Sequence, residues 1–184
     1  MGKDVIVACD FSSRADVMSF LDKFTDIAAE KGYPTCKKSV TMTSDEIWMR
    51  EPLIQCEEEF LIYDEISELV FEYLKKIDAD FIVTEGAAYT PNVMVKYRKK
   101  DYISIIPTPE FQISHYKERE WVPYILEGCS DKQQAFNNWM ERDVLFAKQV
   151  KIECEENVVP CIVNDGFRSQ DEMFSIVKEL FNLK

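Results

Sequence analysis

The stretch VIVACDFSSRAD (Val5–Asp16) sets the expected fold, because an unbroken apolar run gives way within it to polar residues. A short apolar run without alternation is typical of a strand that is buried on both faces of a parallel sheet. Three later runs have the same character. Together the four runs predict strands over Asp4–Cys9, Asp80–Thr84, Tyr102–Ile106 and Val158–Val163.

Helical patterns separate these strands. Apolar residues recur every three or four positions from Glu57 to Ile77, which predicts an amphipathic helix. A second long helix is predicted from Ser130 to about Cys154, and Ser169 begins a last helix with the Ser-x-x-Glu pattern of a capping box. Alternating strands and helices predict an α/β fold, a three-layer α/β/α arrangement with a mainly parallel sheet, in one domain over residues 1–184.

Threonine–proline pairs mark two further helix starts. Thr90-Pro91 and Thr108-Pro109 each place a capping hydroxyl before a proline at the first helical position. We expect Pro123 to end or kink the helix that begins at Pro109, because proline cannot donate a backbone hydrogen bond inside a helix.

Net charge, apolar runs and cysteine content limit the binding partners and the cellular location that can be expected. The 184 residues carry a formal net charge of −12, which argues against nucleic acids and anionic membranes. Neither an apolar run as long as a membrane span nor a signal peptide is evident. The six cysteines include no Cys-x-x-Cys pair, which indicates reduced thiols in the cytoplasm. We therefore expect a cytoplasmic protein with a small-molecule or nucleotide ligand, and homo-oligomerisation stays open.

Five segments carry a resemblance to a known family. They are SDEIWMREP (Ser44–Pro52), FIVTEGAAYTP (Phe81–Pro91), IIPTPEFQISHYKEREWV (Ile105–Val122), EGCSDKQQAFNNWMERDVLFAKQV (Glu127–Val150) and VVPCIVNDGFRS (Val158–Ser169). The combination resembles bacterial P-loop proteins of the shikimate-kinase-like or nucleotide-kinase-like type, over roughly residues 42 to 183. The resemblance implies a P-loop-kinase-like fold in which residues 109–150 form a lid-like helical region.

The phosphate loop of that family departs from its pattern here. In the family a strand–GxxxxGK[ST]–helix element cradles phosphates. Laid on the motif, Ser12 and Ser13 fall in the loop, Arg14 takes the lysine position, and no glycine lies between Lys3 and Lys31. Without glycine, a nest of inward-pointing amides is hard to form. A second register deletes the loop altogether. Under the first register, Ser12, Ser13 and Arg14 would bind the nucleotide.

The resemblance implies roles for residues elsewhere in the chain. Glu85, directly after the second strand, would be catalytic and would hold Mg²⁺ with ATP. Arg119 and Arg142 would be catalytic, because guanidinium groups stabilise the charge of a transferring phosphoryl group. Asp165 and Arg168 would bind the nucleotide.

On the acceptor side, Trp48 and Arg50 would bind the substrate. Each assignment has a structural alternative: a helix cap for Glu85, surface ion pairs for Arg119 and Arg142, and packing for Trp48. For Asp165 and Arg168 the alternative is a plain turn into a capped helix.

Two functions follow. One is a kinase that transfers phosphate from Mg²⁺-bound ATP to a small molecule or nucleotide. The other is a non-catalytic descendant of the kinase fold that binds a ligand or a protein, because a fold can be retained after its catalytic activity is lost. The missing glycines favour the second, whereas the presence of Glu85, Arg119 and Arg142 favours the first.

Overall fold

A computed structural model describes residues 3–8, 23–79 and 81–182. Its four strands are β1 (Lys3–Ala8), β2 (Phe81–Thr84), β3 (Tyr102–Pro107) and β4 (Cys161–Asn164). They form one sheet in the order β2-β1-β3-β4, and all three pairings are parallel. The four strands predicted from apolar runs are confirmed, although β4 begins three residues later than predicted.

Helices account for most of the remaining described chain. Helix α1 covers residues 23–30, and the others run in chain order as follows: α2 (Pro34–Ser39), α3 (Ser44–Trp48), α4 (Pro52–Leu74), α5 (Pro91–Lys96), α6 (Pro109–Lys117), α7 (Val122–Ile125), α8 (Lys132–Asn157) and α9 (Gln170–Leu180). The chain is therefore a mixed α/β protein, mostly helical, with a small parallel sheet.

The chain adds strands first on one side of β1 and then on the other, so the strand order has a switch point between β1 and β3. From β1 the chain reaches β2 on one side, and from β2 it crosses to β3 on the other side of β1. In open parallel sheets, ligands bind beyond the carboxyl ends of the strands at such a switch point. A ligand-binding site is therefore expected at the carboxyl ends of β1 and β3.

Helices α4, α5 and α8 pack together against one face of the sheet. Tyr102 and Ile106 point to this face from β3, and both are buried. Tyr102 joins a core formed largely by α4 and α5, whereas Ile106 packs with Val150 and Cys154 of α8. This apolar layer fixes both long helices on the sheet.

Three of the predicted helix starts are confirmed. The hydroxyls of Thr90, Thr108 and Ser169 accept hydrogen bonds from the first turns of α5, α6 and α9, and Ser169 completes a capping box. Helix α8, predicted from Ser130, begins two residues later, at Lys132. Asp131 caps the helix, while the Ser130 amide donates 2.7 Å to the Asp45 carboxylate.

Proline positions explain two further differences. Helix α4 begins at Pro52, five residues before the predicted start, with the proline at a position where no amide donor is needed. Helix α6 ends at Lys117, and Pro123 lies in the first turn of the separate helix α7. The helix that begins at Pro109 therefore ends before it reaches Pro123. Pro123 does not break a helix here, because proline is well tolerated in a first turn.

In the described part of the chain, no helix combines the length and the apolar character needed to cross a bilayer.

Candidate functional site

Helices α4 and α8 extend beyond the carboxyl end of the sheet. Each leads into the amino end of the strand that follows it, β2 or β4, so both run opposite to the strands. Helix α8 has 26 residues and a length of about 39 Å, whereas β3 has six residues and a length of about 20 Å. The second half of α8 packs on Ile106. Its first half therefore extends past the strands, on the side where ligands bind.

The extended parts of the two helices and the turn before α4 carry a layer of charged residues: Arg50, Glu58, Glu59, Arg142 and Asp143 (the charged layer). At its centre, Arg142 Nη1 lies 2.5 Å from Glu59 Oε2, and Arg142 Nη2 lies 2.6 Å from Asp143 Oδ1. The side chains of these three residues are only 15 to 18% exposed. A buried guanidinium that spans two carboxylates is expensive to desolvate and strongly orienting.

Neutral side chains hold the two carboxylates in place. The Tyr63 hydroxyl donates to Glu59 Oε1 over 2.5 Å, and Gln112 Nε2 donates to Asp143 Oδ2 over 2.9 Å. Both Tyr63 and Gln112 are buried. Because Gln112 lies in the first turn of α6, directly after β3, the hydrogen bond ties the charged layer to the carboxyl end of the central strands.

Arg50 extends the charged layer toward α2. Its Nη1 pairs with Glu58 Oε2, and Lys38 of α2 pairs with the other oxygen of Glu58. With Lys38 included, three cations face three carboxylates, so the layer is electrically neutral. Burial is the largest single influence on the pKa of Glu58 and raises it. The hydrogen bonds and charges of Lys38 and Arg50 together outweigh burial, so the pKa of Glu58 is lowered.

Two buried amides fix the turn that carries Trp48 and Arg50. Gln55 Nε2 donates 2.8 Å to the Arg50 carbonyl, and Asn138 Nδ2 donates 2.9 Å to the Trp48 carbonyl. Sequence reasoning missed Gln55 and Asn138, together with Glu59, Tyr63 and Gln112. For Asn138 the available signal was a polar residue within an apolar segment of α8, Phe136–Met140.

An aromatic cluster adjoins the charged layer: Trp48, Tyr116, Trp121 and Trp139. The Trp48 and Trp139 rings are 4.8 Å apart, and Trp139 also contacts the rings of Trp121 and Tyr116. Tilted and edge-on contacts at these distances are favourable. The cluster belongs to a second core, formed mainly by α7 and the first half of α8, which is separate from the core against the sheet.

Two arginines stack on this cluster. Arg142 Cζ lies 5.3 Å from the centre of the Trp48 ring. Arg119 Cζ lies 4.5 Å from the Tyr116 ring and 5.4 Å from the Trp121 ring. The structure therefore brings together four residues that the sequence assigned to catalysis or substrate binding: Trp48, Arg50, Arg119 and Arg142.

Electrostatics explains why the layer is stable despite its burial. Burial by itself lowers the pKa of Arg142, but Asp143 and Glu59 outweigh it and raise the pKa well above its usual range. One donor on each arginine is nevertheless left over. The Nε atoms of Arg50 and Arg142 are buried and have no hydrogen-bond partner among the described residues. A buried donor without an acceptor costs about 1 to 3 kcal/mol.

The remaining predicted site residues lie at other places. Glu85 follows β2 and is exposed, whereas Asp165 and Arg168 are exposed in the loop after β4. Three strand spacings, about 14 Å, separate β2 from β4 across the sheet. Asp165 accepts from the Phe167 amide, and Arg168 donates to the Val163 carbonyl, which is the turn expected as the structural alternative. Ser12, Ser13 and Arg14 lie outside the described residues.

No all-protein metal centre is present in the described part of the chain. Those residues contain no group of three or more histidine, cysteine, aspartate or glutamate side chains placed to hold a metal ion. Magnesium requires an octahedral set of oxygen ligands, with carboxylates and phosphate oxygens among them. Because magnesium bound with ATP needs only one or two protein carboxylates beside the phosphate oxygens, this does not test the magnesium role of Glu85, which stays a prediction.

Comparisons with known proteins give no relative: no family model matches the sequence, and no curated protein or solved structure matches the chain.

Proposed function

We propose that this chain is a non-catalytic ligand-binding module, which binds a small polar molecule at the carboxyl end of its sheet, beside the charged layer. The single observation that carries the proposal is the state of Arg142. Its guanidinium group is held between Glu59 and Asp143, whereas an arginine that stabilises a transferring phosphoryl group would have to be free to face that group.

The scaffold proposed for this module is a three-layer α/β/α fold of the P-loop-kinase-like type. Support comes from the parallel sheet, from the helices between consecutive strands, and from the switch point between β1 and β3. Such a scaffold directs a ligand to the carboxyl ends of the central strands, next to Gln112 and the charged layer.

The chemistry of the layer suggests the class of ligand. Because the layer with Lys38 is neutral, it offers no net attraction to an anion such as a triphosphate. It does offer partly exposed indole rings in Trp48 and Trp121, and the unpartnered Nε–H donors of Arg50 and Arg142 are buried beside it, open to a ligand only if the guanidinium groups shift. A planar ring with hydrogen-bond acceptors suits this combination, and a nucleoside is the simplest example.

A thermal-shift assay tests the proposal. The full chain is heated with saturating nucleosides, nucleoside 5′-monophosphates, or ATP with magnesium. A ligand at about 100 times its Kd adds about 2.7 kcal/mol of stability, which raises the Tm of a protein of this size by several degrees. We expect a shift with at least one nucleoside, and no larger shift with its monophosphate or with magnesium and ATP.

Matched variants locate the binding site. Arg50→Lys keeps the charge but loses the planar fork and its Nε donor, and should abolish the shift. Lys75→Met removes an exposed cation that pairs only with neighbouring Glu72, and should leave the shift intact. If no compound of the panel shifts the wild-type Tm, or if both variants keep the shift, the proposal is wrong.

Phosphoryl transfer is the second candidate, favoured by the contacts of Arg119 and Arg142 with the aromatic cluster that contains Trp48, next to the turn that carries Arg50. For catalysis, Arg142 would have to leave at least one of its carboxylates. Transfer of ³²P from γ-labelled ATP to a member of the panel, lost in Glu85→Gln and Arg142→Lys, would establish a kinase and refute the non-catalytic proposal.

A further inference from the structure

The first half of helix α4 turns three large apolar side chains toward solvent. Leu53, Ile54 and Leu61 are 45 to 55% exposed, whereas the opposite face of the helix is buried. None of the three packs in an apolar core formed by the described residues. One exposed leucine is ordinary, but several side by side indicate a contact surface. Together with the exposed residues Glu51 and Glu57 they form what we call the α4 patch.

Helical spacing places these side chains together. Leu61 follows Ile54 by seven residues and Leu53 by eight, about two turns, so all three project from one side of the helix. Glu57 is three or four residues from each of them and therefore lies in the middle of the patch. Glu59 of the charged layer is two residues from Leu61 and faces the other way. The α4 patch is thus separate from the charged layer.

The patch is negatively charged. In the described part of the chain, no lysine or arginine forms an ion pair with the carboxylate of Glu51 or Glu57. The neighbouring cations Lys38 and Arg50 are both paired with Glu58. The whole chain carries a formal net charge of −12. An exposed apolar surface with unpaired carboxylates attracts a cationic partner and repels an anionic one.

A second copy of the chain does not fit this surface. An antiparallel pair of α4 helices that brings Leu53 of each copy to Leu61 of the other also brings Glu57 to its own equivalent. A parallel pair places each residue of the patch opposite itself, both glutamates included. Like charges in direct contact are unfavourable, and each copy adds a net charge of −12. The charges therefore favour a different chain as the occupant.

We propose that the α4 patch is a docking surface for a cationic amphipathic helix of a partner protein. Leucine-sized side chains on one face of that helix would pack along Leu53, Ile54 and Leu61. Lysine or arginine side chains beside them would pair with Glu51 and Glu57. The apolar area is small, so the complex is a transient one with an affinity in the micromolar range. This inference does not depend on the proposed ligand.

Fluorescence anisotropy with two designed peptides and the full chain tests the inference. The first probe is a fluorescein-labelled peptide of leucine and lysine, about 18 residues long, with the leucines spaced along one helix face. The second probe has glutamate in place of every lysine. We expect one leucine–lysine peptide to bind per chain, more weakly as salt is added, and the leucine–glutamate peptide not to bind.

Matched double variants locate the surface. Leu61→Ser with Glu57→Gln should weaken binding of the leucine–lysine peptide about tenfold or more, because both the apolar contact and one ion pair are lost. Ile152→Ser with Glu155→Gln makes the same kinds of change at exposed positions of α8, and should leave the affinity within about twofold. Both variants should keep the circular dichroism spectrum of the wild type, because all four side chains are exposed.

Three results would overturn the inference. The first is a wild-type chain that does not bind the leucine–lysine peptide at millimolar concentration, or that binds the leucine–glutamate peptide as tightly. The second is an equal loss of affinity in the two double variants, which would show attraction to the overall charge of the chain. The third is a wild-type dimer in sedimentation that Leu61→Ser dissociates, which would assign the α4 patch to a second copy.

Discussion

Replacing Arg142 with methionine should destabilise the fold strongly, because it leaves two buried carboxylates facing each other without a cation. Methionine keeps most of the length and apolar contact of the arginine stem, so the change isolates the charge. In the native chain Arg142 contacts Glu59 and Asp143 at 2.5 and 2.6 Å, and all three side chains are more than 80% buried.

The magnitude follows from this geometry. Removal of one partner from a buried ion pair costs about 3 to 5 kcal/mol, since the charge left behind is neither solvated nor paired. Residual exposure of 15 to 18% places the value toward the lower end, at about 3 kcal/mol. For a chain of this size, that loss lowers the Tm by about 6 to 12 °C.

Urea unfolding followed by circular dichroism measures the change, and a double variant identifies its cause. Arg142→Met combined with Glu59→Gln removes one of the unpaired carboxylates. The pair should therefore be less destabilised than the sum of the two single variants, by about 1 to 2 kcal/mol. As a control, Lys75→Met breaks an exposed pair with Glu72 and should leave the unfolding midpoint where it is.

The reasoning fails if Arg142→Met unfolds at the same urea concentration as Lys75→Met. It also fails if the double variant shows strict additivity, because the free-energy loss would then come from packing and not from unpaired charge.

Three further predictions concern residues outside this ion pair. Glu65→Gln should lower stability at neutral pH by about 1 kcal/mol, after solvent screening, because the Glu65 carboxylate accepts hydrogen bonds from two backbone amides at the start of α2. Those bonds outweigh burial and lower the pKa of Glu65 below 4.5, so its contribution is full above pH 4.5 and disappears as the pH falls through the lowered pKa. The difference in Tm between wild type and variant should therefore close in acid, and a difference that is constant from pH 7 to 3 would contradict this. Val158→Gly should raise the Tm by one or more degrees, because Val158 ends α8 in the left-handed conformation, with φ of 57°, and its side chain is 90% exposed. A β-branched residue in the left-handed region costs about 1 to 2 kcal/mol, which glycine avoids. A lower Tm would contradict this prediction. Tyr63→Phe should cost about 1 to 2 kcal/mol in urea unfolding, because it removes the hydroxyl donor of the buried Glu59 carboxylate, and a neutral effect would show that the hydrogen bond is dispensable.

Much of the fold was predictable because its signals are local. Unbroken apolar runs identified all four strands, and the Thr-Pro and Ser-x-x-Glu patterns located the starts of α5, α6 and α9. Each signal depends only on residues within one turn or one strand. Where a distant residue intervened, the helix began later than predicted: the Ser130 amide bonds to Asp45, and Asp131 is the cap of α8.

The candidate site was predictable only in part. The sequence singled out Trp48, Arg50, Arg119 and Arg142, which meet in the structure, but it gave no reason to include Glu59, Tyr63 or Gln112. Those three are polar residues in helices whose pattern is otherwise ordinary, and nothing within a turn of them marks a partner.

By itself, the sequence determined the element types, the parallel α/β class and the absence of glycines from the expected phosphate loop, because periodicity, helix caps and backbone freedom are properties of neighbouring residues. The tertiary structure alone decided what Arg142 contacts. Glu59 is 83 positions away in the chain, and only the packing of α4 against α8 beyond the sheet brings its carboxylate to the guanidinium. An arginine that is open to a ligand and an arginine held by buried carboxylates are the same residue in the sequence, and only their surroundings in the folded chain distinguish them.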